Sequence, residues 1–188
     1  MGGAITREAY FETGLAVLSD QGYGGLKLAE VCQRLGVTTG SFYHYFANWS
    51  AYSRELVEYW RHHRTMRVVD AVRVEPDPHR RIEWLIKEAL ALPHGAEAAI
   101  RVWSSIDPDV HAVQSAVDRQ RYDIMRESSL EVLGDERRAE LFAAWSVYIL
   151  VGYEQSTLPP DEAALRWIAD QMIVALDAGR FTSVPDQG

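Results

Sequence analysis

Glycine, proline and capping residues divide this chain of 188 residues into helical segments along its whole length. No segment alternates polar and apolar residues for long, and no Asn-Gly or Asp-Gly pair indicates a hairpin. We therefore predict an all-α fold of about nine helices, with short helices up to residue 47 and long ones after it. The predicted helices cover about 6–21, 27–34, 38–45, 48–75, 78–93, 95–104, 107–134, 135–157 and 161–179.

Cysteine content and hydropathy indicate the compartment. The single cysteine, Cys32, cannot form an internal disulfide, so nothing indicates an oxidising environment. Glu8 and Glu12 interrupt any N-terminal apolar stretch, and the longest apolar run, 147–153, is far below the ~18 residues of a membrane span. We expect a cytoplasmic protein with no membrane partner, and a frayed tail from Thr182 onwards.

The net charge of the chain is −8, which by itself disfavours a nucleic-acid partner. The charge is unevenly distributed, because residues 1–50 hold three basic and four acidic side chains and are nearly neutral. Evidence for DNA binding must therefore come from a motif and not from charge.

Residues 26–46 contain such a motif. Two short helical segments flank a Leu-Gly-Val corner, where Gly36 permits the positive φ that a sharp turn needs. A turn of three or four residues between two short helices is typical of a DNA-binding helix-turn-helix. The apolar side chains predicted to meet beneath the corner are Val31, Leu35, Val37 and Phe42.

The second helix of this motif presents hydrogen-bonding side chains on its outer face. A helix with small and polar residues on that face fits the major groove and can contact base edges and phosphates. We therefore predict double-stranded DNA as a partner. The outward residues are Thr39, Ser41, Tyr43 and His44.

These residues resemble the TetR family of bacterial regulators. Gly22-Tyr23 ends the first helix as in that family, and residues 36–38 (GVT) and 40–46 (GSFYHYF) follow its recognition-helix pattern. The resemblance covers 5–60 in sequence and the whole chain in helix number and length. It implies a helix-turn-helix domain over 1–47, a ligand-binding and dimerisation domain over 48–188, a homodimer, and usually repression relieved by a small molecule.

Carried over position by position, the resemblance also implies which residues face DNA. Tyr43 would bind a phosphate, and Lys27 would reach the DNA backbone. Two positions depart from the family pattern, which usually has Ser or Thr where Lys27 stands and Lys where Trp49 stands. The predicted DNA-binding set is Lys27, Thr38, Thr39, Gly40, Ser41, Tyr43 and His44.

The last two predicted helices indicate self-association. The eighth contains FAAWSVYILVGY, which is apolar on every side and needs cover on more than one face. We predict a homodimer formed through the eighth and ninth helices, with a deep-cored monomer as the alternative. In the ninth helix we predict one apolar stripe of Leu165, Ile168, Met172 and Leu176 and another of Trp167 and Val174.

Aromatic residues of the fourth to eighth helices predict a cavity for a small, largely apolar effector. Ligand sites are usually apolar pockets with a few polar groups, although each of these aromatics could equally be a packing residue. The candidate ligand-binding residues are Trp60, His63, Trp84, Trp103, His111, Gln114, Tyr122, Trp145 and Tyr148.

The leading hypothesis is a repressor released from its operator by such an effector. Two alternatives stay open: a regulator of the same fold that has no ligand or acts through a protein partner, and an all-α enzyme. The histidines show no His-x-x-x-His or Glu-x-x-His spacing, so we predict no metal site. We also predict no catalytic residues and no cofactor.

Overall fold

The computed structural model describes residues 5–179, and every regular element within that range is helical. A short 3₁₀ turn, Tyr23–Gly25, follows the first helix. The helices are α1 (Arg7–Gln21), α2 (Leu28–Leu35), α3 (Thr39–Phe42), α4 (Trp49–Arg61, a π-helical segment His62–Met66, and Arg67–Val72 in unbroken succession), α5 (Pro78–Leu90), α6 (His94–Ser104), α7 (Pro108–Leu133), α8 (Glu136–Gln155) and α9 (Glu162–Asp177). The predicted all-α class and its nine helices are confirmed within the described residues.

Capping residues begin and end these helices as their chemistry predicts. The side chains of Thr6, Asn48 and Asp161 each accept a hydrogen bond from a backbone amide three residues further on, at 2.8–3.1 Å. Glycines with positive φ follow the last turn of four helices, because L side chains rarely adopt that conformation. They are Gly22, Gly36, Gly134 and Gly179.

The third helix is shorter than predicted. The sequence predicts a helix to about residue 45, but α3 ends at Phe42 and turn residues follow. After Phe42 two backbone bonds are of the 3₁₀ type, with the His44 amide on the Ser41 carbonyl (3.2 Å) and the Tyr45 amide on the Phe42 carbonyl (2.9 Å), and the Phe46 amide then bonds the Phe42 carbonyl at 3.1 Å. The tail from Thr182, predicted to fray, lies outside the described residues.

The chain forms two compact units. The first comprises the described residues up to Arg64 together with Pro93–Ala116, so it contains α1–α3, the first part of α4, α6 and the first part of α7. In this unit α6 packs closely on α1. Gly95 permits this close approach, because a Cβ at its position would lie 2.7 Å from the Ser19 carbonyl oxygen. The large side chains that fill its core include Tyr10, Leu18, Val31, Phe42, Tyr52, Leu56, Trp60 and Ile100.

The second unit comprises Thr65–Leu92 and the described residues from Val117 onwards. Its core joins α5, α7, α8 and α9 through side chains such as Ile82, Met125, Phe142 and Met172. These two units are defined by which residues pack together. The predicted boundary after residue 47 instead separates a DNA-binding domain from a ligand-binding and dimerisation domain, and it stays a prediction. Among residues 5–179 no helix has the length and apolarity needed to cross a membrane.

Candidate nucleic-acid interface

A Schellman motif turns the chain between α2 and α3. Gly36, with φ 67°, donates its amide to the Gln33 carbonyl (3.1 Å), and Val37 donates to the Cys32 carbonyl (3.0 Å). Both donors use carbonyls that the end of α2 would otherwise leave unpaired. The predicted corner is therefore built from backbone hydrogen bonds and one left-handed glycine.

Thr38 begins the recognition helix, the name used here for α3 and its turn residues 43–45. Its Oγ1 accepts the Ser41 amide at 3.2 Å and lies 3.1 Å from Ser41 Oγ. This N-cap satisfies one of the free amides of the first turn. By contrast, Lys27 occupies the N-cap position of α2 and makes no side-chain capping bond there.

An aromatic cluster supports the recognition helix from below. Phe42 is fully buried, Phe46 nearly so, and their ring centroids lie 5.0 Å apart. Tyr52 from α4 meets both rings edge-on at 5.5 and 5.0 Å, and its hydroxyl donates to the Tyr10 carbonyl at 2.8 Å. Edge-to-face aromatic pairs stabilise a fold by more than the burial of their surface alone, so the cluster fixes the inner face of this short helix.

The outer face of the recognition helix is accessible to a partner. Tyr43 is 55% exposed, with its ring edge-on to Phe42 at 5.4 Å. Ser41 is half-buried, and its hydroxyl faces the Thr38 cap. The predicted DNA-binding residues that are exposed are Lys27, Thr38, Thr39, Gly40, Tyr43 and His44.

Carboxylates pair with two cations of α1 and α2. Arg34 pairs with both Asp20 and Glu30 at 2.7 Å. Arg7 pairs with Glu55 and also donates to the backbone carbonyl of Tyr45, at the end of the recognition helix. Arg7 is absent from the predicted DNA-binding set, because its partners lie 38 and 48 residues away along the chain and no local pattern reveals them.

Cys32 is buried on the inner side of α2, at 3% exposure. Burial raises the pKa of its thiol and so disfavours the reactive thiolate. The residue packs as a small apolar side chain within the first unit.

Some of the candidate ligand-binding residues lie in the first unit, where two tryptophans make specific internal contacts. Trp60 is fully buried, and its indole nitrogen donates to Glu97 Oε1 at 2.7 Å. Trp103 stacks on Tyr23 with ring centroids 4.9 Å apart and donates to Asp107 at 3.2 Å.

The three polar candidates of the first unit differ in exposure. His63 stacks on Tyr59 at 4.0 Å and lines a surface depression with Phe11 and Glu55. His111 is exposed, and Gln114 is buried on the same helix.

The other candidate ligand-binding residues lie in the second unit. Trp84 is half-buried beside Val69 and Val72, and its indole nitrogen donates to Glu88 at 3.1 Å. Tyr122 and Trp145 pack against the Phe142 core, and burial raises the pKa of Tyr122. Tyr148 is 73% exposed. The nine candidates are thus divided between two units, and their role in ligand binding stays a prediction.

The corner, the capped recognition helix and its aromatic support define a helix-turn-helix domain of the DNA-binding regulator class. Residues 11–49 match the family model described as bacterial regulatory proteins of the TetR family. The predicted resemblance to the TetR family is confirmed: the chain carries the family's N-terminal domain and the fold of its transcriptional regulators. No curated protein matches the chain in sequence.

Solved structures share this fold across nearly the whole chain. A TetR transcription regulator from Haloarcula marismortui has a TM-score of 0.73 at 16% identity, covering 92% of this chain and 96% of its own. A transcriptional regulator from Saccharomonospora viridis in complex with choline has 0.73 at 13% identity, with 89% and 95% covered. AibR in complex with isovaleryl coenzyme A and operator DNA has 0.65 at 15% identity, with 89% and 95% covered. At these identities the likeness establishes the fold.

Proposed function

We propose that this protein is a dimeric repressor that binds a palindromic DNA operator through the recognition helix and is released by a small, largely apolar effector. The observation that carries the DNA-binding part is the exposed polar face of the recognition helix over a fully buried aromatic cluster. In this reading Tyr43 contacts a phosphate, and Thr39 and His44 contact base edges. Lys27, at the start of α2, reaches the DNA backbone.

An exposed apolar face on α9, together with the exposed Tyr148 on α8, supports a homodimer. On α9, Leu165, Met172 and Leu176 are buried within the unit, whereas Trp167 and Val174 are 65% and 49% exposed. Apolar side chains at helical spacing on an outer face indicate a protein partner. A second copy of the chain covers this face in our proposal.

Two features support a ligand. The candidate residues include several large aromatics with a polar handle, which suits an apolar site with a few oriented hydrogen bonds. Two regulators of the same fold are described in complex with choline and with isovaleryl coenzyme A. We propose that effector binding in this chain lowers its affinity for DNA, with a coupling of about 1–3 kcal/mol, as is typical of allosteric sites.

One observation favours the alternative of a regulator without a ligand. Trp60 and Trp103 already use their indole nitrogens on Glu97 and Asp107, as packing residues would. A titration decides between the two: small apolar compounds and charged metabolites are added to the protein–DNA complex while tryptophan fluorescence and DNA release are followed. Release by an apolar compound supports the effector, and release only by charged metabolites contradicts it.

DNA selection tests the central proposal. The parent protein is incubated with a library of random duplexes, and the enriched duplex is then used in gel shifts. Tyr43→Phe should weaken binding to all duplexes alike, whereas Thr39→Ala and His44→Ala should change sequence preference, at about 1–3 kcal/mol per lost base contact. His79→Ala, an exposed histidine of α5, is the matched control. If the three recognition-helix variants bind like the parent, this helix does not bind DNA and the proposal is wrong.

A further inference from the structure

Three backbone hydrogen bonds, to the carbonyls of Ser41 and Phe42, hold the C-terminal end of the recognition helix. Its α-helical part is four residues long, so Tyr43 and His44 lie in the turn that follows. Short helical segments with 3₁₀ bonds are weakly held by their own backbone. The buried Phe42 and Phe46 hold the inner face, so the orientation of these two side chains on the outer face depends also on the other contacts at the end of the turn.

Arg7 at the start of α1, Ile5 just before it and Glu55 on α4 form a set of such contacts. The Arg7 guanidinium donates to the backbone carbonyl of Tyr45 and lies 4.5 Å from the centroid of the Phe46 ring. In the reverse direction, the Tyr45 hydroxyl donates to the Ile5 carbonyl at 2.5 Å. Glu55 on α4 holds the other end of the guanidinium fork. We call these four contacts the Arg7 latch.

Arginine suits this position for geometric reasons. Its planar fork can donate to a carbonyl and a carboxylate at once while its face lies over an aromatic ring. A lysine ammonium keeps the charge but cannot make all three contacts in one fixed geometry. The latch therefore depends on the shape of the guanidinium and not only on its charge.

We propose that Arg7 is a positioning residue that fixes the end of the recognition helix and thereby sets the sequence preference of the protein. This inference rests on the proposed function, because it needs the recognition helix to bind DNA. Arg7 acts through Tyr45, whose backbone adjoins His44. Its charge is already paired with Glu55, so direct binding to a phosphate is the competing role that the test must separate.

The test compares Arg7→Lys, Arg7→Gln and Tyr45→Phe with the parent, using the duplex that the parent enriches and a scrambled duplex of the same length. We expect both Arg7 variants to lose roughly tenfold in affinity for the enriched duplex, and Tyr45→Phe roughly threefold, as for one or two hydrogen bonds. Affinity for the scrambled duplex and the salt dependence should be unchanged. Arg34→Lys, an arginine paired with two carboxylates away from the recognition helix, is the matched control and should bind like the parent.

A phosphate contact predicts the opposite pattern. Arg7→Lys would then bind like the parent, whereas Arg7→Gln would weaken both duplexes and lower the logarithmic salt slope by about 0.9 for each lost phosphate contact. Either of these results overturns the positioning role. If the positioning role is right, Glu55→Gln should lose affinity for the enriched duplex as Arg7→Lys does. Glu58→Gln is its control and should bind like the parent, because Glu58 pairs with Arg61 instead.

Hydrogen exchange tests the latch without DNA. The amides of residues 44–46 should exchange about threefold faster in Arg7→Gln and Tyr45→Phe than in the parent, and unchanged exchange refutes the latch. A parent that enriches no duplex overturns the proposed function and the effect on sequence preference with it, while exchange still decides whether the latch exists.

Discussion

The exposed apolar face of α9 gives a quantitative prediction about self-association. Trp167 is 65% exposed in the single chain. A tryptophan buries up to roughly 200 Å², so covering the exposed part removes roughly 130 Å² from water, which is about 3 kcal/mol per chain at ~25 cal/mol/Å². A symmetric dimer contains two such residues, and even half of that total, about 3 kcal/mol, corresponds to about a hundredfold change in Kd.

We therefore expect Trp167→Ala to weaken the dimer about a hundredfold with little effect on the stability of the monomer. Sedimentation over a dilution series measures the Kd of the parent and the variant. Val74→Ala is the control, because Val74 is 81% exposed but lies between α4 and α5, outside the face. If the parent is a monomer at micromolar concentration, or if Trp167→Ala leaves the Kd unchanged, the reasoning about this face is wrong.

Two further predictions concern stability. Trp60→Phe removes the donor of a hydrogen bond to Glu97, which is 1% exposed, and should lower the free energy of unfolding by about 1.5–3 kcal/mol in urea denaturation. Trp84→Phe is the comparison, because its bond to Glu88 is only partly buried, and it should lower the free energy of unfolding by less than about 1 kcal/mol. Equal losses in the two variants would contradict this reasoning. Burial raises the pKa of Tyr52, so the neutral phenol is favoured in the folded state. Stability should be unaffected by this group below pH ~10 and should then fall by up to about 1.4 kcal/mol per pH unit, a slope that Tyr52→Phe should reduce in unfolding curves measured from pH 9 to 12.

Local signals explain why the fold could be predicted from sequence. Caps such as Thr6, Thr38 and Asn48 act within three residues, and glycines such as Gly36 act on their own φ, so neither needs knowledge of distant parts of the chain. The inward position of Phe42 follows equally from helical spacing. These features determine the number of helices and the helix-turn-helix corner.

Which residues of a helix face the core is harder to predict from sequence than where the helix begins and ends, as α9 shows. The predicted stripe contained Ile168, but Ala169 is the buried residue and Ile168 is 39% exposed. The buried position is therefore shifted by one residue from the predicted one. Helical spacing of i, i+3 or i+4 allows either residue to follow Leu165 in the stripe. Only packing against the second unit's core selects between them.

Long-range side-chain contacts could not be predicted at all. Arg7 meets Tyr45 and Glu55 because α1, the recognition helix and α4 come together in the first unit, and no local pattern encodes that meeting. The division of the candidate ligand-binding residues between two units has the same origin, since it depends on how α6 packs on α1.

The paired cations have a consequence for how this domain would bind DNA. Counterion release from phosphates supplies most non-specific affinity, whereas contacts with base edges supply specificity. Arg7 is paired with Glu55, and Arg34 with Asp20 and Glu30. This pairing reduces the non-specific affinity that counterion release supplies and leaves the specificity from base contacts unchanged. We therefore predict that this nearly neutral domain binds non-operator DNA weakly. In the proposed dimer, its preference for an operator would then depend on the placement of a few side chains and on the second copy of the recognition helix. For such a protein, a contact that orients the recognition helix matters more than one additional positive charge.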